Sequence, residues 1–201
     1  MIEQSPLAMW VSDDEGNLIR VNQACCDLLN VTEQEVFGRY NIFQDNLFSE
    51  QGFMPQVRAV FECGETARFE LRYDSSQLEG LKFQRTVSVF LDVTIFPIKD
   101  TSDRITHAVI QHNNITERKQ AEEALHESEE KFRIMAELLP QIVFESDMSG
   151  QLTYVNKQAF KILGYPQDYP IKGLNTINLY IPEDRPRAIE NIKRRIAGEP
   201  Q

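Results

Sequence analysis

Residues 10–31, WVSDDEGNLIRVNQACCDLLNV, return without a gap at residues 144–165, FESDMSGQLTYVNKQAFKILGY. Ser12, Asp13, Gly16, Leu18, Val21, Asn22 and Leu29 meet Ser146, Asp147, Gly150, Leu152, Val155, Asn156 and Leu163. One structural unit therefore begins twice. The wide interval between the copies points to separate domains rather than a stacked solenoid. Within the first copy, residues 7–11 form a short apolar strand and residues 17–21 the returning strand. Asp13 to Gly16 makes the turn between them, with Gly16 free to take positive φ. Asn22 then caps a helix over residues 23–29 by offering its side-chain oxygen to free N–H groups. The second copy predicts strands over 142–146 and 152–155, a cap at Asn156 and a helix over 157–163.

The stretch beyond the first copy completes a domain. Thr32 caps a short helix over 32–37, and an irregular segment follows over 38–52. A longer helix over 54–62 carries Val57, Val60 and Phe61 on one side. Residues 67–73 then alternate, with Phe69, Leu71 and Tyr73 on one face and Arg68, Glu70 and Arg72 on the other. Residues 74–80 read as a polar loop. Residues 87–95 alternate again through Val87, Val89, Leu91, Val93 and Ile95. Pro97 and residues 99–103 read as a turn, and residues 105–112 as the last strand. This order makes an α+β domain: an antiparallel sheet, apolar on one face, with helices packed on that face.

Composition narrows the functions. The formal net charge is -10, and an acidic chain is poorly suited to nucleic-acid phosphates or anionic lipid. No apolar run reaches the length of a membrane span, and the first residues lack a basic region followed by an apolar stretch, so a cytoplasmic protein is expected. Cys25, Cys26 and Cys63 lack the spacing of a disulfide framework or a zinc site, and they read as small buried hydrophobes. Redox sensing by the adjacent Cys25 and Cys26 is the other reading. There is no glycine-rich phosphate loop, no HExxH and no nucleophile elbow, so the chain is not expected to be an enzyme.

Several stretches together resemble the PAS family of sensory domains: Ser12 through Asn22, then Pro97-Ile98-Lys99-Asp100, then Asn114-Ile115-Thr116-Glu117-Arg118-Lys119. The last is similar to the segment that closes a PAS domain and opens its output helix. Glu127 through Arg133 resembles the usual opening of a second unit, and Pro182-Glu183-Asp184-Arg185 the motif before that unit's long helix. The resemblance implies a five-stranded antiparallel sheet with helices on one face. A long connector helix and the front part of a second PAS-like unit would follow. The expected domains are residues 1–114, 115–139 and 140–201. The second unit is expected to have its long helix over 184–197, to begin a third strand at 198–201, and to be truncated there.

Departures from the family also inform. Asn114 stands where the family often has Asp. The stretch Gly38 through Gln44 resembles the flavin photosensors but has no cysteine at the adduct-forming position. The helix over 54–62 has no histidine. Both cysteinyl-flavin chemistry and His-ligated haem are therefore disfavoured, and the cofactor is left unidentified.

The connector, rich in Glu, Lys, Gln and Ala, has neither Gly nor Pro until Pro140. Thr116 caps it and Glu117 lies where the helix dipole favours an anion. Ala121, Leu125, Ser128, Phe132, Met135 and Leu139 follow the spacing of a short coiled-coil seam, which predicts a homodimer; a helix lying unpaired on its own domain is the alternative. Inward positions nominate a ligand pocket of Tyr40, Asn41, Phe43, Val57, Phe61, Phe69, Leu71, Val89, Leu91 and Val109, with Tyr40 and Asn41 as its polar groups. Alternation predicts a core whether or not it holds a cavity, so a filled core without ligand stands beside this. By resemblance His112 lies near a pocket glutamine of flavin-binding relatives. Asn114, Ile115 and Thr116 would couple sheet to helix. The resemblance implies a sensory input module of a two-component sensor histidine kinase. A dimerisation module of a transcription regulator or of a cyclic-dinucleotide enzyme is the alternative.

Overall fold

The asparagine at the end of each repeat does more than start a helix. A computed structural model of the chain describes residues 3–196, divided into two compact units, Met1–Glu123 and Ala124–Gln201. In the first, Asn22 is fully buried, and its Oδ1 accepts from the N–H groups of Cys25 at 2.9 Å and Met9 at 3.0 Å. Its Nδ2 donates to the carbonyls of Leu7 and Ser5. One amide thus caps a helix and fixes the strand before it. Asn156 repeats the pattern with Ala159, Val143, Gln141 and Ala136.

The first unit runs β1 (Ala8–Asp13), β2 (Leu18–Val21), α1 (Gln23–Leu29), α2 (Glu33–Val36), a 3-10 turn (Ile42–Gln44), α3 (Asn46–Glu50), α4 (Met54–Cys63), β3 (Ala67–Asp74), β4 (Ser88–Lys99) and β5 (Ile105–Asn114). The five strands form an antiparallel sheet in the order β2-β1-β5-β4-β3. The first and last strands of the unit are therefore central neighbours, with Trp10 opposite Ile110. Leu91, Val93 and Ile95 of β4 are fully buried, as are Val57 and Val60 of α4. Each such side chain stabilises the fold by roughly 1.5–3 kcal/mol.

The stretch expected to be irregular over 38–52 holds α3, and two features of the sheet also differ from the sequence reading. Pro97 lies inside β4 rather than in a turn. It comes after Ile95, the last β4 residue paired with β3, and a missing N–H is tolerated where one side of a strand is open. Val109 was expected to face inward, but it pairs with Val11 and Phe96 on the opposite face from Ile95 and Ile110. Phe90 and Phe96 on that outer face are half-buried.

The helix α5 (Thr116–Leu138) follows β5 directly. The second unit holds β6 (Phe144–Ser146) paired with β7 (Leu152–Val155), then α6 (Lys157–Leu163), two 3-10 turns and α7 (Arg185–Ile196). It is small, with a two-stranded sheet among the described residues. The third strand expected at 198–201 lies outside the described residues.

Candidate functional site

The first unit encloses a cavity of about 40 Å³ between the inner face of the sheet and its helices. Trp10 of β1 forms one wall. Its indole N–H donates to His112 Nε2 of β5 at 3.0 Å, inside the protein. Tyr40 meets Trp10 edge to face, with ring centres 5.1 Å apart. The Tyr40 hydroxyl donates to Asp45 Oδ2 at 2.6 Å, and Asp45 Oδ1 accepts from the N–H groups of Leu47 and Phe48 at the start of α3. Cys25 and Tyr73 complete the sheet and helix sides. Leu78, Leu81 and Phe83, from the segment joining β3 to β4, close the remaining side.

Burial sets the electrostatics of this cluster. It pushes the His112 imidazole down to about 4, so the ring is neutral at neutral pH. It raises the Cys25 thiol to about 12, with Cys26 adding to the effect. Burial pushes the Asp45 carboxyl up although its hydrogen bonds from Tyr40, Leu47 and Phe48 pull it down. Tyr40 is pushed well up by burial and then by the Asp45 carboxylate. Cys25 and Cys26 are buried as hydrophobes, whereas Cys63 is exposed.

Of the nominated pocket residues, the structure brings Tyr40 and His112 to the cavity. Phe43, Val57, Phe61, Phe69, Leu71, Val89 and Leu91 do not line it and pack as core. Phe43 and Phe61 meet at 4.8 Å, and Phe69 stacks on Phe53 at 4.3 Å. Asn41 is a corrected reading: its Nδ2 donates to the Glu15 carbonyl and its Oδ1 accepts from Phe43 N–H, so it locks the turn after β1. Asn175 makes the same pair of bonds to Ser149 and Ile177 in the second unit. Val109 sits on the other side of the sheet. The sequence reading missed Trp10, Cys25, Asp45, Tyr73 and the three apolar residues of the β3–β4 segment. Leu78, buried within an otherwise polar stretch, was the available signal.

A PAS domain model matches residues 6–117, and another matches residues 130–197. The chain belongs to the PAS domain family. Among solved structures, an RNA-binding light-oxygen-voltage receptor is similar to the PAS fold at 18% identity and a TM-score of 0.51, over 64% of this chain. The match spans 35% of that receptor's length. A PAS domain of an HTR-like protein from Haloarcula marismortui is 23% identical over 57% of this chain and 85% of that one, with a TM-score of 0.42. A PAS domain from a two-component sensor histidine kinase is 12% identical over 56% of this chain and 88% of that one, with a TM-score of 0.41. No curated protein matches the chain.

The exit from the first PAS domain is tightly fixed. Only Ile115 separates β5 from α5, and it is buried. Its N–H donates to the Phe90 carbonyl at 2.9 Å, while Phe90 N–H donates to Thr116 Oγ1 at 3.0 Å. Asn114 Oδ1 accepts from Thr116 N–H. One turn on, Arg118 and Lys119 both reach Glu70 of β3 at 2.6 Å. These pairs hold the Glu70 carboxyl below its usual range, Lys119 first. At the other end of α5, Glu137 accepts from Tyr154 hydroxyl and Lys157 N–H within the second PAS unit. Leu125, Phe132 and Met135 of the expected seam are exposed, as is Ala121. No described helix is long and apolar enough to cross a membrane.

Proposed function

We propose that the chain is the input and relay section of a cytoplasmic two-component sensor histidine kinase. In this reading the first PAS domain responds to a ligand in its cavity, and α5 carries the response onward. The chain performs no chemical step of its own; catalysis belongs to an effector elsewhere in the parent protein. The observation that supports the relay is the single-residue join at Ile115, with Phe90 bonded on both sides of it. Phe90 follows Val89, which pairs with the cavity residue Tyr73. A shift of Tyr73 therefore has a short, hydrogen-bonded path to the first turn of α5. That helix has no Gly or Pro to absorb the motion. A two-state output is then biased by whichever sheet packing the ligand favours.

A second reading has its own support. Leu125, Phe132 and Met135 lie exposed along α5, as a seam awaiting a second helix would. The chain would then act as a dimerisation module of a transcription regulator or a cyclic-dinucleotide enzyme, without a small ligand.

Deleting Glu123 from the full-length parent tests the relay, because it rotates all later residues by about 100°. The autophosphorylation rate changes several-fold if α5 is the relay and is unaffected if it is a passive spacer. A parent that never phosphorylates itself overturns the kinase assignment.

A further inference from the structure

The cavity of the first PAS domain is a built feature, because its wall recurs. Leu18, Val21 and Leu29 line it, and their partners in the gapless repeat, Leu152, Val155 and Leu163, line a hollow at the same place in the second unit. Trp10, Cys25 and Tyr40 stand where the second unit has Phe144, Ala159 and Leu174, which line that hollow too. The fold therefore accepts a wholly apolar residue at each of these three positions. In the first domain two of their polar atoms are already engaged: the Trp10 N–H donates to His112 and the Tyr40 hydroxyl to Asp45. His112 Nδ1 has almost no accessible surface. That leaves the Tyr73 hydroxyl and the Cys25 thiol, the second a weak donor. A water held in a cavity needs two to four polar partners, so this space is poorly suited to water.

We infer that this cavity takes a small, uncharged, apolar molecule of the short-hydrocarbon class, held by dispersion contacts rather than by a hydrogen bond. This rests on the ligand-responsive reading above and names the ligand class for it. Unfilled space denies the surrounding side chains their contact partners, and a carbon occupant restores them. Size follows from the cavity: at about 40 Å³ it has room for roughly three or four non-hydrogen atoms, given that one water needs about 10–15 Å³ on this measure. Charge is excluded by the wall. No Lys, Arg, Asp or Glu lines the cavity, and the Asp45 carboxylate behind Tyr40 is already held by three hydrogen bonds. A buried ion without a free counter-charge is strongly disfavoured. The segment joining β3 to β4, with Leu78, Leu81 and Phe83, supplies the way in. Exposed hydrogen bonds hold it, from Asn46 to Gln77 and Glu79 and from Glu35 to Gln84, and such bonds open at little cost.

The test uses the full chain, with isobutene, its near-isostere acetone, and formate as probes. The readouts are the methyl resonances of Val31, Leu78 and Leu81, while the Trp10 indole N–H resonance reports an intact fold. Isobutene is expected to shift these methyls and to bind about tenfold more tightly than acetone, whose carbonyl must give up its water. Cys25→Ala, which copies Ala159 of the second unit, enlarges the cavity and preserves isobutene binding. Cys25→Leu fills the cavity and weakens that binding about tenfold or more. If Cys25→Leu fails to fold, Val31→Ile, one carbon larger than wild type, carries the same expectation of weaker binding. Equal or tighter binding of acetone overturns the apolar class and leaves the broader ligand reading standing. Tighter binding of formate, isobutene shifts confined to the second unit, and the absence of any shift with all three also overturn the proposal. The relay reading is judged separately by the Glu123 deletion, which needs no ligand.

Discussion

Trp10 and His112 join the first and last strands of the first PAS domain through one buried side-chain hydrogen bond of 3.0 Å. Register makes it possible: Trp10 lies opposite Ile110, and His112 lies two residues further along the same face of β5. Burial holds the imidazole in its neutral form down to about pH 4.

Stability should therefore depend on pH in a predictable direction. The folded-state pKa lies near 4, below the ordinary histidine value of 6.5. Between those values the unfolded chain binds a proton that the folded chain does not, so stability rises with pH in that window. The contribution is complete above about pH 6.5 and falls as pH drops towards 4, by on the order of 3 kcal/mol in total. Urea denaturation from pH 4 to 8 measures it. His112→Gln should flatten the curve over this range; an unchanged slope in that variant would show that another group is responsible.

Asn22→Ala should cost roughly 2–4 kcal/mol, a lost helix cap of about 1 kcal/mol together with buried backbone groups left unpaired. Asn156→Ala removes the matching bonds, including the one to the Ala136 carbonyl at the end of α5. Amide exchange separates the two. Asn22→Ala should speed exchange in β1 and α1, and Asn156→Ala in α6 and the last turn of α5. A uniform response to either variant would contradict two separately capped units.

These asparagines show what a linear sequence discloses. The strand–turn–strand–cap pattern was legible because its partners are close in the chain and recur. The alternation in β3 and β4 likewise gave the sheet and its inner face. In β5 the run Ala108, Val109, Ile110 is apolar at every position, so parity was ambiguous until pairing with Trp10 and Ile95 fixed Ile110 inward. Asn41 was misread because its carbonyl partner, Glu15, lies 26 residues away. The cavity itself was least legible. Its third side comes from Leu78, Leu81 and Phe83, in a segment whose local composition signals a solvent loop.

Glu70 should matter for α5 more than for the fold. Its partners Arg118 and Lys119 are solvent-exposed or partly so, and such pairs contribute little to global stability and weaken with salt. Glu70→Ala is expected to leave the denaturation midpoint close to wild type while amide exchange quickens through residues 116–122. Raising the salt concentration in the wild type should mimic the variant. A large drop in midpoint would mean that the first turn of α5 is part of the cooperative core.

Gly16 and Gly150 occupy the same turn in the two units, at φ of +84° and +82°, where any residue with a Cβ is strained. Their surroundings differ. A Cβ at Gly16 would lie 2.7 Å from Phe43 Cδ2, on a ring fixed between Phe61 and the Arg58 guanidinium. At Gly150 the nearest atom is Asn175 Oδ1 at 3.0 Å, the end of a partly exposed side chain held by hydrogen bonds to Ser149 and Ile177 rather than by a packed ring. Both alanine variants lose about 1 kcal/mol to backbone conformation. Gly16→Ala should lose about 1–3 kcal/mol more, because the aromatic ring must move within a packed core. Differential exchange within each unit reads the two costs separately. If Gly150→Ala proved the more damaging, the Asn175 lock rather than ring packing would be what the turn cannot give up.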